Sequence, residues 1–287
     1  MLGVLVLLAS PLVQVGALYE YPVKSLGGVP ATFADVEPAG LRHDRRWMLV
    51  DGAGVVLTAR EHHEMLAFSA TPGESGGVVL SVPGRSPLAV PVPAGGDRVP
   101  VQLSRLAYAT AAGERADAWF DAAGLPARLV WLDDPARRPL SPNHGGLPGD
   151  PLSLADAGPI LLTTTASLRQ LNIWIAEHAV REGRPVEPPL AMQRFRPNIV
   201  VDDDGGLAPF AEDRWDAVRI GDVELRFGEQ CVRCVLTTID PVTHVTGKEP
   251  IRTLARHRRR EGAVWFGVRL IPIGPGRIRV GDPVSVG

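Results

Sequence analysis

The most restrictive feature of this sequence is the frequency of glycine and proline. Among 287 residues there are 31 glycines and 27 prolines, spread along the whole chain. Because these residues interrupt helices and favour turns, they predict many short strands joined by turns instead of long helices. The hydrophobic fraction is 45% and the charged fraction 22%, which is enough to build a large folded core. We therefore expect a mostly β protein of one or two domains.

The charge balance and the cysteine count exclude several classes of protein. With 30 basic and 32 acidic residues the net charge is −2, so the chain has no general attraction to nucleic acid or to an anionic membrane. Two cysteines are too few for a disulfide scaffold. They are also too few for a self-contained iron–sulfur cluster, which takes about four protein ligands.

The first residues of the chain are apolar. Residues 1–18 carry no charge, whereas a secretory signal would place basic residues before its apolar core, and the first basic residue here is Lys24. Ser10 and Pro11 interrupt the run, which argues against a membrane span of about 20 apolar residues. We interpret the segment as a short apolar extension before a strand at Val13–Tyr21, with a weak membrane anchor as the alternative. The predicted location is the cytoplasm.

Turn signals divide the chain into two β-rich regions and a connector. Residues 13–104 are predicted as an N-terminal domain of strands and hairpins. Residues 105–152 contain one helix, one strand and a loop rich in proline and glycine, which marks the domain boundary. Residues 153–287 form the second domain, with a helix capped by a threonine at 164 or 165. Strands that alternate with isolated helices predict an α+β fold built on a barrel.

Individual elements follow from local patterns. Trp47–Asp51 and Val55–Ala59 flank a Gly-Ala-Gly turn, and Val78–Val82 and Leu88–Val92 flank a Pro-Gly-Arg turn, so each pair predicts a hairpin. Glu114–Ala123 has apolar residues at helical spacing and is followed by glycine, which predicts a helix.

The only cysteine pair, Cys231 and Cys234, permits three interpretations. A redox site of the thioredoxin type would begin a helix, whereas the β-branched segment Val235–Ile239 predicts a strand. A zinc site needs two further ligands, and only His244 lies nearby. The simplest alternative is a buried pair of small hydrophobic residues. Arg233 favours a functional role, because an adjacent cation stabilises the thiolate that binds metals.

Three segments place cations beside small polar residues at predicted strand edges. They are YPVKS at 21–25, DRRW at 44–47 and RFRPN at 194–198. Fixed cations and backbone donors gathered at loops suit an anionic ligand that carries phosphate. A surface ion pair would explain any one of the segments alone, but not three of them.

Together these segments resemble the MOSC family, the domain named after the C-terminal part of molybdenum cofactor sulfurases. The similarity is greatest to mitochondrial amidoxime-reducing components and bacterial YcbX-type proteins, and it covers nearly the whole chain from about residue 13. The segments that carry it, in chain order, are YPVKSLGG at 21–28, GLRHDRRWMLVD at 40–51, RFRPNIVV at 194–201, IGDVELRF at 220–227, CVRCVLTTIDP at 231–241 and RVGDPV at 279–284. The first two resemble the N-terminal MOSC β-barrel domain and the others the MOSC domain.

The resemblance implies a molybdenum cofactor, in which a pterin dithiolene holds the metal and a protein cysteine adds a sulfur ligand. That cysteine falls on Cys234, and a family aspartate near the metal falls on Asp156, where it could position water or relay protons. A thiolate is a soft ligand suited to such a metal. The family positions that contact the pterin and its phosphate fall on Lys24, Ser25, Arg45, Arg196, Asn198 and Arg233.

The sequence also departs from the family pattern. A pair of hydroxyl residues after the aspartate is Ala157 and Gly158 here, and a family aromatic near the end of the site aligns loosely with Arg269. The usual DPDTG turn reads DPVTH at 240–244.

The family implies an oxidoreductase that reduces N-hydroxylated compounds such as amidoximes and hydroxylamines. Its electrons would come from a separate flavoprotein or iron–sulfur protein, because this chain lacks the cysteines for its own cluster. The alternative is a molybdenum cofactor carrier or sulfur-transfer module without turnover of its own.

Overall fold

The computed structural model describes residues 13–203 and 205–287. The apolar extension or anchor predicted before Val13 lies outside these residues. The strands are β1 (Val13–Glu20), β2 (Val29–Ala31), β3 (Phe33–Glu37), β4 (Gly40–Leu41), β5 (Trp47–Val50), β6 (Ser69–Pro72), β7 (Val78–Ser81), β8 (Leu88–Val90), β9 (Arg98–Leu103), β10 (Leu106–Ala111), β11 (Arg128–Trp131), β12 (Ile160–Thr164), β13 (Ile199–Asp203), β14 (Ala217–Ile220), β15 (Val223–Val232), β16 (Arg259–Arg260), β17 (Ala263–Pro272), β18 (Gly276–Arg279) and β19 (Val284–Val286). The α-helices are α1 (Glu114–Ala122), α2 (Thr165–Arg181) and α3 (Ile251–His257).

Short strands dominate the molecule, which confirms the predicted α+β fold. The largest sheet has the order β19-β14-β15-β17-β12-β13-β1-β2, with β16 paired to β17. A second sheet has the order β5-β11-β10-β9, and two three-stranded sheets are β18-β3-β4 and β6-β7-β8. Among the described residues, no helix combines the length and the apolar character that a membrane crossing requires.

The first strand belongs to the largest sheet, where it pairs with the neighbouring β2 on one side and with the distant β13 on the other. β1 lies antiparallel to β13, with Leu18 opposite Ile199, and carries a register shift between Val15 and Ala17. At Gly16 a Cβ atom would lie 2.6 Å from that of Asp202, so glycine permits the close approach of the two strands there. The N-terminal segment thus completes a sheet built mainly from residues after 159.

Two of the predicted strands are wrong. Val55–Ala59 forms only isolated bridges instead of the second strand of a hairpin. Val235–Ile239 contains a 3₁₀ helix at Val235–Thr238. There the Thr237 hydroxyl donates to the Cys234 carbonyl at 3.0 Å, and the Thr238 hydroxyl donates to the Val235 carbonyl at 2.7 Å. Such local bonds give the backbone an alternative to the ladder that its β-branched composition favours.

Helices α2 and α3 contact each other through two histidines. Arg256 donates to Nδ1 of His178 at 2.9 Å, so the proton of the neutral His178 ring lies on Nε2. That atom lies 3.1 Å from Nε2 of His257, which must accept the bond, and the His257 ring stacks on Trp174. Burial, together with Arg256 and His257, lowers the pKa of His178. The contact therefore requires both rings to be neutral.

We expect acid to weaken this helix contact. A lowered pKa means that the unfolded chain binds the proton more readily, so His178 stabilises the fold above about pH 6.5 and loses that effect as the pH falls. Chemical denaturation at pH 7.5, 6.5 and 5.5 should show a smaller loss of unfolding free energy for His178→Gln than for the wild type. His62→Gln, at an exposed ion pair, should follow the wild type. Parallel curves for wild type and His178→Gln would contradict the assignment.

Candidate active site

Three adjacent strands of the largest sheet, in the order β15-β17-β12, contribute residues to the lining of one cavity, and the loops before and between strands supply the rest. Its empty space, including the open solvent at its mouth, is about 790 Å³. All eight site residues predicted from the resemblance line it. They are Lys24, Ser25, Arg45, Asp156, Arg196, Asn198, Arg233 and Cys234.

The lining of the cavity is strongly cationic. It holds six basic side chains and a single carboxylate, Asp156. Four of the cations have carboxylate partners, in the pairs Lys24–Asp156, Arg45–Asp44, Arg194–Asp240 and Arg269–Glu229. Arg196 and Arg233 form no ion pair within residues 13–203 and 205–287. The cavity therefore carries positive charge that the surrounding protein does not balance.

The described part of the protein holds the side chains of Arg196 and Arg233 in place but does not use all of their hydrogen-bond donors. The Arg196 guanidinium lies 4.3 Å from the ring centre of Tyr21, and burial lowers its pKa to about 10, so it stays charged at neutral pH. In Arg233, Nη2 donates to the Phe195 carbonyl at 3.0 Å, whereas Nε is buried and has no hydrogen-bond partner. Buried donors of this kind are rare in native proteins and indicate a place for an acceptor. An anionic ligand would supply it.

Three residues of the lining have left-handed backbone conformations. The φ angles are 70° at Ser25, 51° at Arg45 and 56° at Arg196. A residue other than glycine in this region costs of order 1–3 kcal/mol, and such strain is concentrated at functional sites. Ser25 and Arg45 lie in turns, whereas Arg196 directly follows the 3₁₀ helix at Met192–Phe195.

Lys24 and Asp156 form an ion pair at the cavity wall. The buried Lys24 ammonium also donates to the Leu154 carbonyl at 3.0 Å. Although 59% of the Asp156 side chain is exposed, partial desolvation at the cavity would by itself raise its pKa. The charge and hydrogen bond of Lys24 more than offset this and hold the pKa of Asp156 well below its usual range. Asp156 is therefore ionised at neutral pH, and in this state it accepts hydrogen bonds and carries no proton to donate.

The two cysteines differ in exposure. Cys231 is buried near the end of β15, as the simplest alternative supposed, whereas Cys234 is exposed and precedes the 3₁₀ helix. Both line the cavity. Across the part of the chain that the structure describes, no group of three or more metal-binding side chains occurs, so the zinc alternative gains no support there.

Comparisons with known proteins agree with the resemblance. The model of the MOSC N-terminal beta barrel domain matches residues 12–123, and that of the MOSC domain matches residues 149–285. Human mitochondrial amidoxime-reducing component 1 is 33% identical over 293 aligned residues, which cover 94% of this chain and 82% of that protein. The chain belongs to the MOSC family. Rat mitochondrial amidoxime reducing component 2 is 32% identical with the same coverage.

The comparison corrects one prediction for this MOSC protein. We predicted a cytoplasmic protein from the absence of a basic secretory signal. The relatives from human, rat and mouse are named mitochondrial, so the prediction of a plain cytoplasmic location is wrong.

Among solved structures, the YUAD protein from Bacillus subtilis aligns with 96% of this chain and 94% of its own at 12% identity, with a TM-score of 0.40. That likeness is too distant to support an inference.

Sequence reasoning missed the groups that hold the site residues of this MOSC protein. The carboxylate of Asp44, which is 1% exposed, accepts hydrogen bonds from the Tyr21 amide, from Arg45 and from Asn198. The Asn198 amide is fully used, since its oxygen also accepts from the amide of Leu161. Tyr21 and Asn198 are far from Asp44 in the sequence, and no local signal connects them to it. The DRRW motif was the only hint at Asp44.

Proposed function

We propose that this MOSC protein binds the molybdenum cofactor and reduces N-hydroxylated compounds such as amidoximes and hydroxylamines. The observation that supports the proposal best is the meeting, in one cavity, of the exposed Cys234 thiol and the unbalanced charges of Arg196 and Arg233. Its relatives are named amidoxime-reducing components, which supports an N-reductive role associated with this cofactor. The reduction consumes two electrons and two protons and releases the hydroxyl oxygen as water.

The residues of the cavity suit the cofactor chemically. Cys234 offers a thiolate, a ligand that soft metal centres prefer. Arg196 and Arg233 offer charged donors to a phosphate, whose negative charge would balance the excess in the cavity. When bound, the cofactor supplies the two-electron redox chemistry that the reduction needs.

The other predicted site residues have separate roles in the proposal. Lys24 presents its ammonium and is held by Asp156, while Asp156 orients a water or a substrate N–H through its ionised oxygens. Ser25 offers its hydroxyl beside Lys24. Asn198 acts as a positioning residue, because its amide groups are already bonded to Arg45 and to neighbouring backbone.

Electrons are proposed to come from a separate flavoprotein or iron–sulfur protein. The chain has two cysteines, one buried and one assigned to the metal, which leaves no ligand set for a cluster of its own.

The reaction is tested by supplying the molybdenum-loaded protein with reduced viologen and following viologen oxidation with and without benzamidoxime. Oxidation that depends on benzamidoxime and disappears in Cys234→Ser supports a reductase. Full cofactor loading without turnover of any N-hydroxylated compound, together with transfer of cofactor to an apo-enzyme, would favour the carrier instead.

Arg196→Ala is expected to weaken cofactor retention. A hydrogen bond from a charged donor to an anion is worth about 1.5–3 kcal/mol, so retention after dialysis should fall roughly tenfold to hundredfold. Arg42→Ala, which removes exposed pairs with Glu37 and Asp35, is the matched control and should retain the cofactor. A folded Arg196→Ala variant with full occupancy after dialysis would show that Arg196 does not bind the cofactor.

A further inference from the structure

Two cations of the cavity, Arg194 and Arg269, have no place in the proposed cofactor site. Arg269 lies in β17, where it is directly opposite Glu229 on one neighbouring strand and Leu161 on the other. Its Nη1 atom donates to Glu229, whose second oxygen lies 3.0 Å from Nδ1 of His144.

The stem of Arg269 occupies a space that only glycine leaves open. A Cβ atom at residue 158 would lie 2.7 Å from Cδ of Arg269 and 2.9 Å from its Cβ. Contacts below 3.0 Å are not tolerated, and the Arg269 Cβ cannot move without its strand. The position of the Arg269 side chain therefore depends on glycine at residue 158.

The guanidinium of Arg269 keeps donors that no described residue bonds. It lines the same cavity as Cys234, and only 17% of its side chain is exposed. Neither Nε nor Nη2 makes a hydrogen bond to any residue in the described part of the chain. An arginine with two free N–H groups binds a carboxylate with two parallel hydrogen bonds, whereas an aromatic residue would stack on a neutral ring.

We propose that Arg269 binds a carboxylate on the substrate and that this protein prefers anionic N-hydroxylated compounds over neutral ones. The proposal rests on the reductase function above. Arg196 and Arg233, which have no carboxylate partners, account for the anionic cofactor. Arg194 already donates through both Nη atoms to Thr237 and Asp240, which leaves Arg269 for a second anion in the same cavity. Gly158 is the specificity determinant that makes room for it.

The test compares benzamidoxime with 4-carboxybenzamidoxime, which differ by one carboxylate, in the viologen assay. For the wild type, kcat/KM should be about ten- to hundredfold higher for the carboxylated compound. Arg269→Gln should abolish that preference and leave the molybdenum content equal to that of the wild type. Arg226→Gln, an arginine on β15 outside the cavity lining, is the matched control and should keep the preference.

A second variant displaces Arg269 without removing its charge. Gly158→Ala should reduce the preference about as far as Arg269→Gln does, and the double variant should show no further reduction, because the two residues act as a unit. Equal kcat/KM values for both compounds in the wild type, or an unchanged preference in Arg269→Gln, would overturn the proposal. Loss of molybdenum in Arg269→Gln would assign Arg269 to the cofactor and overturn it too.

A binding measurement distinguishes failure of the proposed reductase function from failure of the proposed carboxylate binding by Arg269. If neither compound is turned over, calorimetric titration of the molybdenum-loaded protein with 4-carboxybenzamidoxime decides the inference. Binding that is at least tenfold weaker in Arg269→Gln supports it, and equal binding refutes it.

Discussion

Replacement of Cys234 by serine is expected to remove molybdenum from the protein and with it all reductase activity. A serine hydroxyl stays protonated at neutral pH and is a hard ligand, so it does not substitute for a thiolate at a soft metal. Metal analysis of protein produced in a cofactor-competent host should give about one molybdenum per chain for the wild type and a small fraction of that for Cys234→Ser. Viologen oxidation should then show no dependence on benzamidoxime.

The neighbouring cysteine provides the control. Cys231 is buried beside the cavity, so Cys231→Ala should retain the metal and lose only some stability. Equal molybdenum in the wild type and in Cys234→Ser would reject Cys234 as the ligand. Loss of metal in Cys231→Ala alone would assign the ligand to Cys231.

Asp44→Ala is expected to have the largest effect on stability. Its carboxylate is buried and pairs with Arg45, whose side chain is only 14% exposed. Removal of one partner of a buried ion pair leaves an uncompensated charge and costs about 3–5 kcal/mol. The free energy of unfolding, measured by chemical denaturation, should fall by that amount, and cofactor retention should fall with it because Arg45 and Asn198 lose their common partner.

Two further variants separate the buried charge from a general effect of losing a carboxylate. Glu37→Ala removes a partner of the half-exposed Arg42 and should cost no more than about 1 kcal/mol. Asp44→Ala combined with Arg45→Met should recover part of the lost stability, because it also removes the unpaired cation. A double variant less stable than Asp44→Ala would contradict the explanation.

Local signals predicted many of the elements correctly. The Pro-Gly-Arg turn joins β7 to β8 as expected, α1 occupies Glu114–Ala122, and Thr164 accepts a hydrogen bond from the Ser167 amide at the start of α2. These features depend on residues within a few positions of each other. The strand prediction for the segment after Cys234 was also wrong for a local reason. There the hydrogen bonds from threonine hydroxyls to the backbone outweigh the strand preference of the β-branched residues.

Features that depend on distant residues were not predictable from one sequence. The resemblance selected eight site residues, and the structure brings all of them to one cavity, while their roles toward a cofactor stay proposals. It did not identify the bond between Arg45 and Asn198, which are 153 positions apart, or the contact between Gly158 and Arg269. The proposed domain ranges, 13–104, 105–152 and 153–287, also stay predictions. The pairing of β1 with β13 crosses from the first range to the third, a long-range contact that no turn signal encodes.

That pairing of β1 with β13 has a consequence for biosynthesis. Leu18 leaves the ribosome long before its partner Ile199, and at roughly 5–20 residues per second the delay is about ten to forty seconds. During this time β1 has an unpaired edge, which is a hazard for aggregation and a site where a chaperone would be useful. The cavity is finished later still, since Arg269 is synthesised after Ile199. A cofactor bound there would therefore enter after the strands of the sheet have been synthesised and would not act as a nucleus for their folding.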